Sequence, residues 1–420
     1  MTQDHRQPDD EVPGDDRPES ADGPGRPDAK PPAREPFRVV LRDIMSSGGV
    51  VIAAAVVVSL LIGALLVAAF NPAVTSAAGY FFARPGDLFT AIGHAVGDYF
   101  TALFRGALYD YEARSFARAI RPLTETLTGS VPLIFAGLAV GVAFRGGLFN
   151  IGVQGQLIMG AIAAGFVGFT WHLPPVLHLL VAILTAMMAG SLWALVVGVL
   201  KAKVNSNEVI LTIMLNSIAA LLLRYALKTG AFVGSGFPGR SLTVDAGSSY
   251  PLLLGAQFRL HWGFVLALAM AVAVWWLMER STLGFQIKAV GTNPSAARTA
   301  GISVAATIVA AMAISGALAG MAATAPALGT EKFLTNGVAA NYGFDALTVA
   351  LLGGSRSRGI VAAGILFGAM NAGGSLMQAA AHIPVDIVQV SQAIIVLLIA
   401  APPLVRWLLR LPSPRAEEAR

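Results

Sequence analysis

Asn150, Gln154 and Gln156 fall within GLFNIGVQGQ (147–156), a glycine-rich stretch inside a long uncharged run. An amide side chain both donates and accepts, so it can bind the hydroxyls or base edges of an uncharged polar ligand. It can equally join one helix to the next. No water reaches the middle of an apolar run in a bilayer, so each amide must face protein or a cavity, and the stretch is a candidate transport path. Gln156 points away from Gln154 on a regular helix, so the two line one cavity only where the helix is broken. Gly146, Gly147, Gly152 and Gly155 permit such a break and also suit close helix packing.

Asn216 lies mid-span in a later apolar run, where a polar residue has an interior role. Phe149, Phe344 and Asn371 are of types that stack on or bond to a planar ligand, or simply pack. The substrate-path candidates are therefore Phe149, Asn150, Gln154, Asn216, Phe344 and Asn371. Asn207 and Glu208 open the run that holds Asn216 and read as its N-cap and a dipole-matched acid. No catalytic residue or metal site is expected. The six histidines show no H-E-x-x-H spacing, cysteine is absent, and paired acids are missing from the apolar runs.

The elements that must position these residues follow from composition. Hydrophobic residues make up 55% and charged residues 13% of the chain, with a mean hydropathy of +0.67. The first 43 residues carry 18 of the 53 charged side chains, leaving the remainder nearly bare of charge. This is the composition of an all-α polytopic membrane protein. A transmembrane helix needs roughly 20 apolar residues. Candidate spans are 48–70, 126–144, 148–171, 175–200, 209–227, 262–278, 304–328, 343–354, 359–377 and 386–405, about ten transmembrane helices. The eighth is too short to span alone and ends in Gly353-Gly354, which suggests a broken or re-entrant helix.

Three domains are expected: a disordered cytoplasmic tail over 1–43, rich in proline and acid; a transmembrane domain over 44–410 that holds the candidate path; and a cytoplasmic C-terminal tail over 411–420. Short loops carrying Arg145, Lys201 and Lys203, Arg280, Lys288 and Arg298, and Arg356 and Arg358 all fall on one side, which places both termini in the cytoplasm. The 71–121 segment is then extracytoplasmic, with a helix expected along its surface. The net charge of +5 and pI near 9.6 reflect these anchors and need only anionic membrane lipids as partners, not nucleic acid.

The cytoplasmic loop 279–303 is the longest on its side. Asn293 is a good N-cap, Pro294 suits the first helical position, Arg298 sits near the C-terminal end and Gly301 follows it, predicting a short helix over 294–300. A rod of about 10 Å fits a groove of another protein.

Four ordered blocks now stand out: GLFNIGVQGQLIMGA (147–161), NEVILTIMLNSIA (207–219), GFQIKAVGTNPSAARTAGI (284–302) and GFDALTVALLGGSRSRGIVAAGILFG (343–368). Together they resemble the permease subunits of ABC importers for nucleosides and simple sugars, within the branched-chain amino acid and ribose permease superfamily. The likeness covers about 126–405. The NIG-x-QGQ wording is closer to the nucleoside type, many of whose members have Glu where this chain has Gln154. The resemblance implies a bacterial plasma-membrane importer. Its partners would be ABC ATPase subunits, a second and homologous permease subunit, and an extracytoplasmic solute-binding lipoprotein.

ATP and magnesium would sit on the ATPase, consistent with the lack of a G-x-x-x-x-G-K-[ST] loop here, and no cofactor would be bound by this chain. The coupling segment would include Gly291, Asn293, Pro294, Ala296, Ala297, Arg298 and Gly301, and Ala297→Arg is expected to uncouple transport without unfolding the permease. A permease for ribose or another simple sugar is the alternative within the family. An ion-coupled secondary transporter is the alternative outside it.

Overall fold

The computed structural model describes residues 48–234, 239–381 and 386–400. The expected tails, 1–43 and 411–420, lie outside the described residues. Every regular element among those described is helical; apart from the single turns Gly230–Val233 and Ala246–Ser248, they are α1 Gly48–Phe70, α2 Pro72–Gly79, α3 Pro85–Ala107, α4 Phe116–Arg145, α5 Val153–Thr170, α6 Pro175–Val204 and α7 Glu208–Ala226. These are followed by α8 Gly263–Arg280, α9 Thr282–Thr292, α10 Pro294–Thr299, α11 Val304–Thr324, α12 Tyr342–Leu352, α13 Ser357–Ala381 and α14 Asp386–Ala400. A π-helical turn, Ala325–Thr330, continues α11. Eight of these helices are long and apolar enough to cross a membrane, and α12 and α14 supply shorter apolar helices. Each of the ten predicted runs contains a helix, the eighth being the short one, but the third starts at Val153 and not at 148, because 148–152 lie outside any helix.

Helix α4 is the spine. Its apolar window is 83% buried, against 22% for α7 and 28% for α8, so it contacts protein on all sides while α7 and α8 turn an apolar face outward. Its 30 residues span about 45 Å. The helix begins ten residues before the predicted 126 because Arg118, Arg121 and Glu125 end the apolar run without ending the helix, and Ser115 caps it by accepting from the Arg118 amide. Around it pack α8, α11, α12 and α13. Helix α3 docks against α1 and α13 through Ala95, Tyr99 and Ala102, so one side of the expected surface helix is joined to the bundle.

Helices α5, α6 and α11 meet through small residues. A Cβ on Gly190 would stand 2.3 Å from the Gly316 carbonyl oxygen, one on Gly320 2.1 Å from that of Ala186, and one on Gly160 2.7 Å from Gly320 Cα. Lipid is as apolar as leucine, so dispersion at such backbone approach holds the helices together.

The loop from α7 to α8 folds over the π-turn. Ser241 N donates to Leu334 O (2.9 Å), Val244 N to Lys332 O (2.9 Å) and Tyr250 N to Leu328 O (3.0 Å). Tyr250 stacks on the fully buried His261 with ring centroids 5.1 Å apart. His261 Nδ1 accepts from the Gly263 amide at 3.1 Å, which sets the neutral tautomer with the proton on Nε2. Burial first, and then the positive charge of Arg259 and Lys332, pulls the His261 pKa from its ordinary 6.5 to about 4.

Two outcomes follow. Gly320→Ala drives a methyl into the Ala186 carbonyl and lowers stability by about 1–3 kcal/mol, read as a lower melting temperature in detergent; unchanged melting would show the packing is loose there. For His261 both states are neutral above pH 6.5, so its contribution is constant there. As pH falls from about 6.5 toward 4 the unfolded state takes the proton first and stability drops. Thermal melts should show this decline, and His261→Gln, which cannot titrate, should flatten it.

Candidate functional site

Between α4 and α5 the chain leaves the helix at 146–152, and the amides singled out by type gather around this break. Gly147, at φ +69°, allows the turn. Asn150 is fully buried. Its Oδ1 accepts from the Gly152 amide (3.0 Å) and from Gln156 Nε2 (3.1 Å), while its Nδ2 donates to Gln156 Oε1 (3.1 Å) and Ser315 Oγ (2.8 Å). Ser315 in turn donates to Ala139 O of α4 (2.7 Å). Asn216, reaching across from α7, accepts from the Gly155 amide (2.8 Å) and donates to Ile151 O (3.0 Å).

Gln154 serves a second break. Its Nε2 donates to Ala340 O (2.8 Å) and its Oε1 accepts from the Gly343 amide (2.7 Å) at the start of α12. A carboxylate in the same place could accept from Gly343 but could not donate to Ala340. Gln156 points away from Gln154, because α5 is regular from Val153 onward.

The remaining predicted residues scatter. Phe149, 45% exposed, stacks on Phe144 at 5.0 Å, and Phe344, 50% exposed, stands on the first turn of α12. Asn371 on α13 accepts from Gln392 Nε2 (3.0 Å) and, of the six candidates, borders the larger cavity among the described residues.

That cavity, about 760 Å³, opens beside the N-terminal half of α4. Thr128 and Pro132 of α4, Pro326 of the π-turn, Tyr342 of α12, and Asn371 and Ser375 of α13 line its interior. Its mouth is charged. Arg259 lies 3.5 Å from Glu125 and 3.4 Å from Glu331, and Arg121 lies 3.9 Å from the other oxygen of Glu125. Sequence reasoning passed over this set, since Glu125 and Arg121 sit just outside the run read as a span and Arg259 and Glu331 come from separate loops. The signal that was available is Pro326 and Gly329 near the end of an apolar run, where α-helical bonding fails and a π-turn re-aims the chain.

A second cavity, about 690 Å³, flanks the C-terminal end of α4, with Arg145, Glu279, Lys288 and Arg356 on its walls. Between the two, Leu133, Ile134, Phe135 and Ala136 of α4 are fully buried. Pro132 borders one cavity and Leu138 the other, about 9 Å apart along the helix.

The loop read as a docking element holds two helices. Helix α9 was not predicted; Ser281 caps it by accepting from the Gly284 amide at 3.0 Å. Helix α10 matches the predicted one, with Asn293 accepting from Ser295 N and Ala296 N, each at 3.0 Å, and Gly301 at φ +81° after it. Gly291 seats this pair on the bundle: a Cβ there would lie 2.2 Å from Arg145 O, and one on Gly147 3.0 Å from Gly291 Cα. Within α10, Ala297 is 4% exposed and packs inward, whereas Ala296 and Arg298 are exposed. Ala297→Arg would therefore disturb the chain's own packing, so a clean test of docking belongs at Ala296.

The comparisons with known proteins agree with this arrangement. A family model described as branched-chain amino acid transport system / permease component matches residues 123–401. The guanosine ABC transporter permease protein of Bacillus subtilis is 37% identical over 320 residues, covering 76% of this chain and 89% of the relative. The glucose ABC transporter permease protein of Haloferax volcanii is 36% identical over 66% of this chain and 75% of its own length. A nucleoside ABC transporter permease protein of Lactococcus lactis is 32% identical over 71% and 83% respectively. No solved structure matches the chain. With the family match spanning α4 to α14 and the helical spans in place, the chain belongs to the family of branched-chain amino acid transport system permease components, the membrane-spanning subunits of ABC transporters.

Proposed function

We propose that this chain forms part of the translocation path of an ATP-driven importer for nucleosides. The observation that carries the substrate class is the 37% identity to the guanosine permease along 89% of that protein. The larger cavity supports it: at about 760 Å³ it falls within the range of small-molecule sites, and Thr128, Asn371 and Ser375 offer neutral hydrogen-bonding groups suited to a polyhydroxylated ligand. In this reading α9 and α10 face the cytoplasm and seat in an ATPase subunit that holds ATP and magnesium. The larger cavity faces outward and receives ligand from a solute-binding lipoprotein, and a homologous permease subunit completes the path.

Gly291 against Gly147 makes α9 rigid with the end of α4. Closure of the ATPase pair would then tilt the spine and open one cavity as it closes the other. A simple sugar is the second reading, the glucose permease being 36% identical over 66% of this chain, a smaller share than the guanosine permease covers.

Uptake into vesicles holding this chain with its ATPase, second permease and binding protein separates these readings. ATP-dependent guanosine uptake that excess glucose or ribose leaves unchanged is expected. ATP-dependent sugar uptake alone would keep the mechanism and replace the substrate, and uptake driven by an ion gradient without ATP would overturn the importer.

Ala296→Arg, an unpaired charge on the exposed side of α10, should cut ATP-dependent uptake by about tenfold or more while melting stays unchanged. Full activity in that variant would remove α10 from coupling. Asn371→Ala should raise the KM for guanosine by roughly five- to tenfold through one lost hydrogen bond. Gln154→Ala should instead lower the yield of folded protein and leave KM unchanged, because its partners are backbone groups of α12; the reverse pattern would move the ligand to Gln154.

A further inference from the structure

The second cavity has a chemistry that an uncharged cargo does not need. Arg145, Lys288, Arg356 and Arg358 border it with Glu279 as the one carboxylate among its lining residues. Glu279 is engaged by two of these cations: Arg145 Nη1 bonds one oxygen, and Lys288 Nζ lies 3.0 Å from the other. Arg145 also donates from Nε to Ser355 O at 2.9 Å, which holds it to the α12–α13 turn. Arg356 on that turn and Arg358 in the first turn of α13 are exposed and, among the described residues, pair with no carboxylate. The cavity therefore carries a surplus of positive charge at two side chains available to an outside partner.

Beside it lies an apolar hollow of about 440 Å³, walled by Leu268 and Val272 of α8 and Val361 of α13. Trp275, Ser357 and Arg358 border both spaces, so the basic cavity and the apolar hollow adjoin across a shared wall. Leu268 to Trp275 covers about 10 Å along a helix that crosses the membrane. A tryptophan at that junction is placed where an indole meets the headgroup layer.

We propose that this composite groove binds an anionic phospholipid. Its phosphate sits against Arg356 and Arg358, and the upper part of one acyl chain runs along α8 between Leu268 and Val361. Basic pockets between transmembrane helices take anionic headgroups by this combination of charge and apolar wall. The lipid would brace the turn at Ser355–Arg358 against α8, on the same wall that holds Arg145 and the seat of α9.

Native mass spectrometry of the purified full chain tests this, with phosphatidylglycerol and phosphatidylcholine of identical acyl chains added in parallel. Phosphatidylglycerol should be retained and phosphatidylcholine lost. The variant R356A/R358A should weaken phosphatidylglycerol binding by about 25-fold, at about fivefold for each basic residue. R114A/K228A, which removes the same charge from exposed positions at the other end of the bundle, should bind as the unmodified chain does, and melting in phosphatidylcholine checks that both variants fold. Equal retention of the two lipids, or equal weakening in the two variants, would overturn the proposal. Displacement of phosphatidylglycerol by equimolar inorganic phosphate or glycerol 3-phosphate would show a site for phosphate alone and would overturn it as well.

Discussion

A backbone amide or carbonyl that leaves the helix inside a membrane has no water to turn to, and this protein leaves the helix at 146–152 and again just before α12. The cost of an unsatisfied buried group is about 1–3 kcal/mol, which three amide side chains avoid. Asn150 and Asn216 close the break between α4 and α5 from opposite sides, taking up Gly152 N, Gly155 N and Ile151 O. Gln154 closes the start of α12 by holding Ala340 O and Gly343 N together. Because Asn150 in the break, Gln154 on α5 and Asn216 on α7 reach Ser315 on α11, the backbone at the start of α5 and the first turn of α12, they also fix how four helices meet. Any ligand path must be built around these breaks, and the larger cavity opens where α4, the π-turn, α12 and α13 diverge.

The same breaks connect the ends of the molecule. Gly147 turns the chain out of α4 and lies against Gly291 at the end of α9, a contact too close for any side chain. A movement of α9 and α10 is therefore a movement of the α4 terminus. Helix α4 borders both cavities and is filled between them by Leu133 to Ala136, so one rigid element separates two spaces that a tilt would affect in opposite senses. The glycine contacts among α5, α6 and α11 supply the fixed frame against which such a tilt takes place.

Much of this was legible in the sequence. Apolar runs of membrane-spanning length, the shortness of 343–354, and the Asn293-Pro294…Gly301 signature each rest on local rules that the fold does not override. Helix α9 escaped notice because TLGFQIKAVGT has two glycines and follows Arg280 without a gap, so its start is marked only by Ser281. The larger cavity escaped because its charged mouth joins Glu125, Arg259 and Glu331 from three distant parts of the chain. Asn150, Gln154 and Asn216 were recognised as interior amides. Residue type alone, however, could not separate a group that binds ligand from one that caps a broken helix, since both tasks call for paired donor and acceptor. Only their partners decide it.

The chain has no cysteine, so a single introduced thiol is the only one this chain offers, and the labelled band of this chain reports on it alone. The most direct test of an outward cavity that serves the path is Ser375→Cys in the assembled importer, probed with a membrane-impermeant maleimide from the outside. Labelling that is rapid without ATP, slowed by guanosine, and suppressed when the ATPase is trapped in its closed state is the predicted result. A thiol that reacts only from the cytoplasmic side, or that labels at one rate regardless of guanosine and nucleotide, would contradict the account.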